Sequence, residues 1–87
     1  MALNHWTLNK PADALRHQME RRHLGVAETA RAIGVSRQQL HLMLRGARFT
    51  AAQAVRLEQI FDVPASQWMA LQVDHDLAEA RMRLAGT

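Results

Sequence analysis

The sequence contains no cysteine. Disulfides and thiolate-bound metals are therefore excluded, and the absence fits a reducing compartment. Long apolar runs are missing as well. No stretch approaches the roughly 18 residues of a membrane span, and Met1 to Lys10 lacks the apolar core of a signal peptide. The expectation is a soluble, cytoplasmic protein with no membrane partner. Strand signals are almost absent: no period-2 run of β-branched residues occurs, and no repeat, low-complexity tract or linker divides the chain. No Ser/His/Asp, Lys or Cys arrangement suggests catalysis. Asp74 and Asp76 stand two apart on a helix and point to different sides, so they form no acid–base pair. The five histidines offer no metal set. His17 and His23 do not share a helix face, and His41 and His75 lack a second ligand at helical spacing. No enzyme, metal or cofactor is expected.

What is present suits one small domain covering residues 1–87. Hydrophobic residues make up 48% of the chain, enough to build a core. The net charge of +3 is unevenly spread. Residues 1–48 carry Lys10, Arg16, Arg21, Arg22, Arg31, Arg37, Arg45 and Arg48 against Asp13, Glu20 and Glu28, a net of +5. Residues 49–87 carry Arg56, Arg81 and Arg83 against five acids, a net of −2. A basic front half and an acidic back half suggest a polyanionic partner for the front.

Caps and periods predict five helices, an all-α fold. Pro11 opens the first, where its missing N–H costs nothing, and Leu15 and Met19 mark its buried side. The tripeptide His23-Leu24-Gly25 ends it, with Gly25 expected in the left-handed conformation. The second helix covers about Val26 to Ile33, with Ala30 and Ile33 inward and Gly34 at its end. Ser36 caps the third, and Gln39 three residues on completes a capping box. Leu40, Met43 and Leu44 form its apolar stripe, and Gly46 stops it. A second box, Thr50 to Gln53, opens the fourth helix. Ala54, Leu57 and Phe61 line one side of that helix, and Val55 and Ile60 widen the apolar face. Pro64 opens a long fifth helix to about Leu84, with Trp68, Leu71 and His75 on one face. Trp6 and Leu8 precede the first helix and are expected to pack as a cap on the core.

Residues 26–45 read as a helix-turn-helix. Gly34 permits a sharp reversal, small Ala30 lets the two helices approach, Val35 plugs the turn, and Leu40 packs the second helix back on the first. With Leu40, Met43 and Leu44 inward, Gln38, His41, Leu42 and Arg45 point outward, and Arg37 projects from the first turn. These are groups that read base edges: Arg pairs with guanine, Gln with adenine, and Leu meets a thymine methyl. The same polar residues also suit an ordinary solvated helix face, since Arg and Gln are good helix formers. The turn, the basic front half and the outward face together favour DNA. Arg21, Arg22, Arg31, Arg45 and Arg48 are candidates for phosphate contacts.

The segments "ETARAIGVSRQQLHLMLRGAR" and "TAAQAVRLEQIFDVPASQWMALQ", followed by "DL" at Asp76 and Leu77, resemble HigA-type antitoxins of bacterial toxin–antitoxin systems. These belong to the Xre/Cro-like helix-turn-helix group. The resemblance runs from Pro11 to Arg81. It implies a five-helix fold with an extended C-terminal helix over residues 64–84, used for homodimerisation. It also implies an inverted-repeat operator in the promoter of the protein's own operon. A further implied partner is a RelE-like mRNA-nuclease toxin, which the antitoxin neutralises. By motif match, Arg37, Gln38, His41 and Leu42 fall where the family contacts bases, and Ser36 and Arg45 near its backbone contacts. The family usually opens the second helix with a phosphate-binding Gln, where this chain has Val26. Its final helix often carries Tyr and Trp where this chain has His75 and Ala78. Two alternatives stay open: a regulator of this family without a toxin, and a toxin-binding fold that no longer binds DNA.

Overall fold

The computed structural model describes residues 10–86. Trp6 and Leu8 lie outside the described residues. Five helices follow in order: α1 (Pro11–Arg21), α2 (Val26–Ile33), α3 (Arg37–Leu44), α4 (Ala51–Phe61) and α5 (Ala65–Ala85). The architecture is all-α, as the sequence predicts, with no strand among the described residues.

Local chemistry sets most of the boundaries. Pro11 occupies the first position of α1, whose N-cap is Lys10. The left-handed residue after α1 is His23, at φ 55°, and not Gly25. Leu24 N–H donates to the Met19 carbonyl at 2.9 Å and His23 N–H to that of Glu20 at 3.2 Å. This paired closure places the residue two beyond Arg21 in the left-handed region, and His tolerates that region better than most side chains. Gly25 is instead the extended N-cap of α2, at φ −83° and ψ 176°. The Glu28 carboxylate accepts its N–H at 3.1 Å.

The same closure ends α2 and α3 with glycine in the left-handed position. Val35 N–H reaches the Ala30 carbonyl at 3.0 Å across Gly34, and Ala47 N–H reaches that of Leu42 at 2.9 Å across Gly46. α4 ends on Asp62, also left-handed, at φ 60°. Its box is complete: Thr50 Oγ1 accepts from Gln53 N–H at 3.1 Å, and Gln53 Oε1 accepts from Thr50 N–H at 2.9 Å. The box predicted at α3 is half formed. Ser36 Oγ accepts from Gln39 N–H at 3.0 Å, but no return bond from the Gln39 side chain accompanies it. Pro64 is the N-cap of α5. Ala65 N–H, the next donor, is satisfied by the Glu58 carboxylate of α4 at 2.6 Å.

The core gathers one or two side chains from every turn of the first four helices and from the start of α5. Leu15, Ile33, Leu40, Met43, Leu57, Phe61 and Trp68 are essentially inaccessible to solvent. Each such aliphatic side chain contributes about 1.5–3 kcal/mol by leaving water. Trp68 is the hub, with the Phe49 ring 6.1 Å and the Phe61 ring 6.5 Å from it. Val55 does not widen the apolar face of α4. It is 48% exposed, because it falls one residue past buried Ala54 and so turns away from the core.

α5 is only half used by this core. Trp68, Leu71 and Gln72 are buried, whereas no residue from Val73 to Gly86 is. At 1.5 Å per residue, this unburied part of α5 is on the order of 20 Å long, and its first turn still touches the α3–α4 loop through Asp76. No helix among the described residues is long and apolar enough to cross a membrane.

Candidate nucleic-acid interface

Three features hold α3 in place. Its inner face is locked by Leu40 and Met43, both inaccessible to solvent. Its start is capped by Ser36. Its end is tied to α1, because Arg16 Nη2 donates to the carbonyl of Leu44 at 3.1 Å. A cation at a helix C-terminus satisfies an orphan carbonyl and complements the helix dipole. The C-cap residue of α1, Arg22, treats α4 the same way. Arg22 Nη2 donates to the Phe61 carbonyl at 3.2 Å, and its guanidinium stacks over the Phe61 ring at 5.9 Å. Two basic residues of the front half therefore serve the fold. Arg22, a candidate for phosphate contact, is one of them, and Arg16 was not picked out by sequence pattern at all.

With α3 fixed, its outer face is defined. Arg37, Gln38, His41, Leu42 and Arg45 are all exposed, as the helical period predicts. Gln38, His41, Leu42 and Arg45 line one shallow depression on the surface. That depression combines an amide, an imidazole, a guanidinium and an apolar side chain that is 49% exposed. Hydrogen-bond donors and acceptors lie beside a methyl-sized contact, which is the chemistry that distinguishes base pairs in a major groove. Ser36 stands at the helix start with its hydroxyl engaged in the cap.

Arg48 sits elsewhere. It follows the turn at Gly46 and pairs with Asp76 of α5, its Nη1 against Asp76 Oδ2. Asp76 Oδ1 accepts from Gln72 Nε2 at 3.2 Å. Gln72, itself buried, accepts the Phe49 backbone N–H at 3.0 Å. The Arg48 hydrogen bond holds the Asp76 carboxyl below the usual carboxylate range. Partial desolvation opposes this, and Gln72 and the charges of Arg48 and His75 add to it. Sequence pattern missed this set, although Gln72 and Asp76 are the polar members of the "LQ" and "DL" pairs. Among the described residues no three His, Cys, Asp or Glu side chains gather as metal ligands. His75 instead faces Glu79 across 3.5 Å of the same helix.

No family model matches the chain, and no curated protein does. Among solved structures it is similar to the antitoxin HigA of Pseudomonas aeruginosa, in a structure with the higBA promoter. The two are 31% identical, over 90% of this chain and 87% of that one, with a TM-score of 0.81. A likeness of that extent, in sequence and in fold, shows that the chain belongs to the HigA-type antitoxins, helix-turn-helix proteins of toxin–antitoxin systems.

Proposed function

We propose that this protein is a sequence-specific DNA-binding repressor that recognises an inverted repeat in its own promoter. The observation that carries this reading is the outer face of α3. Arg37, Gln38, His41 and Leu42 stand exposed on the second helix of a helix-turn-helix, in a chain similar to an antitoxin solved with its promoter. In this reading Arg37, Gln38, His41 and Leu42 read base edges, and Ser36, Arg45 and Arg48 contact the backbone. The protein works as a regulator without catalysis or cofactor, in the cytoplasm.

The active unit is a homodimer built on residues 64–84. Val73, Leu77 and Leu84 are exposed, at 51%, 44% and 74%, on the part of α5 that leaves the core. With Ala80 they recur at alternating spacings of four and three. That is the period of a two-helix seam. A second copy of α5 covers this stripe and sets the two α3 helices about 34 Å apart, one turn of DNA. As an antitoxin, the protein also binds and neutralises a RelE-like toxin encoded beside it.

The test is a gel-shift titration on the upstream promoter duplex, with random competitor at two salt concentrations. A specific shift that weakens steeply with salt is expected. No shift above competitor removes the repressor reading and leaves the toxin-binding one, which Val26 at the start of α2 favours. Co-purification with the neighbouring gene product then tests the toxin. A neighbourhood without a toxin gene marks a stand-alone regulator.

A further inference from the structure

The contacts joining the α3–α4 loop to α5 form a closed set. Arg48 and Phe49 are consecutive residues of that loop. The Arg48 guanidinium binds Asp76, the Asp76 carboxylate takes a hydrogen bond from Gln72, and Gln72 takes the N–H of Phe49. Gln72 and Asp76 are one helical turn apart, so both face the loop. The Gln72 amide has its orientation dictated at both ends: its oxygen must meet an N–H and its nitrogen a carboxylate. It is 3% exposed, so it has little room to turn. The anchor lies inside, and the ion pair lies at the edge. Asp76 is one-third exposed by side chain and Arg48 two-thirds, at 33% and 68%.

This gradient matters for what Arg48 does. A long cationic side chain on a loop normally spends entropy when it engages a ligand. Here one of its five N–H donors is used by a carboxylate that is itself fixed, and the guanidinium still faces solvent. The loop it belongs to begins directly after the helix that carries the reading face.

We infer that Gln72 and Asp76 are positioning residues for DNA binding: they hold Arg48 in place as a phosphate contact beside the recognition helix. Asp76 fixes the guanidinium, and Gln72 fixes both Asp76 and the loop backbone at Phe49. The inference rests on the DNA-binding reading above. It also gives α5 a role in the reading unit of its own chain, apart from any contact with a second copy.

The experiment compares wild type, Arg48→Ala, Asp76→Asn and the double variant on the promoter duplex and on random duplex across a salt series. Melting midpoints are taken in parallel. Arg48→Ala is expected to lower affinity about five- to tenfold on both duplexes, the loss of one charge-assisted hydrogen bond. It should also reduce the salt slope by about one. Asp76→Asn should weaken binding in the same direction, and the double variant no more than Arg48→Ala alone. The sign is the decisive reading. Removing a negative charge from a protein that binds a polyanion ought by itself to tighten binding, so a loss in Asp76→Asn identifies positioning. A slope intermediate between wild type and Arg48→Ala, with the variant lower in melting midpoint but still fully folded at the assay temperature, completes the expected pattern. Unchanged or tighter binding by Asp76→Asn overturns the inference while leaving the repressor reading intact. An Arg48→Ala salt slope equal to that of wild type overturns it too. A wild-type protein that shifts no promoter DNA removes both.

Discussion

The guanidinium of Arg56 on α4 lies against Gly34 at the turn of the helix-turn-helix. A Cβ at that position would stand 3.1 Å from Arg56 Nη1. Gly34 is also left-handed, at φ 81°. Two constraints therefore meet at one residue, one from its own backbone and one from a neighbouring helix. Gly34→Val is expected to destabilise the fold by about 2 kcal/mol or more, since the left-handed conformation alone costs an L-residue about 1–2 kcal/mol. Urea unfolding checks it, and an unchanged midpoint would show that the turn tolerates a side chain.

Arg37 projects from the first turn of α3 and is exposed. Arg37→Ala should cost about 1–3 kcal/mol of specific binding and relax preference at one base pair. Random DNA should be bound nearly as before. Competition titrations on operator and random duplexes separate the two effects, and an equal loss on both would assign Arg37 to the backbone rather than to a base. This is the opposite pattern from the one expected of Arg48.

Leu77 is 44% exposed and lies in the middle of the apolar stripe of α5. Leu77→Glu should leave the fold intact, since the core ends at Gln72. It should drive the proposed dimer apart, because a charge at a helix–helix seam must be desolvated. Light scattering behind size exclusion reads the mass directly. A variant with helical content and dimer mass both unchanged would show that the two copies meet elsewhere.

Asp76 carries the pH dependence that the described contacts predict. Its carboxyl is held below the ordinary value of 3.8 by Arg48, with Gln72 and His75 beside it. A depressed folded-state value means the contribution is fully present above the unfolded-state value and is lost as pH falls through the folded one. Wild type should thus melt above Asp76→Asn at neutral pH, and the gap should close below about pH 4. A gap that stays constant down to acid pH would mean the carboxylate is not what stabilises this contact.

Much of this was legible from residue order, for a physical reason. Helix boundaries here are local events: a Pro at a first turn, a Thr and a Gln three apart, a Gly that accepts the left-handed region. Such signals act within four residues. The outward set on α3 follows from the same periodicity, and the structure exposes each member of it. The errors are also local in origin. Glycine is the commonest left-handed residue, so the sequence points to Gly25, yet the hydrogen-bond closure after α1 falls two residues earlier, on His23. Val55 reads as apolar, but its angular position on α4 carries it past the core edge.

The sequence by itself determined the number of helices, most of their ends, the helix-turn-helix and the side chains on its outer face. Only the tertiary structure decided how the charged residues are used. Arg16 and Arg22 close the C-termini of α3 and α4, and Asp76 claims Arg48 across a separation of 28 residues. No periodicity encodes such pairings. An arginine on a basic segment looks the same in sequence whether it ends on a carbonyl, a carboxylate or a phosphate. Its partner is fixed by which helix packs beside it, and that is set by the shape of the whole core around Trp68.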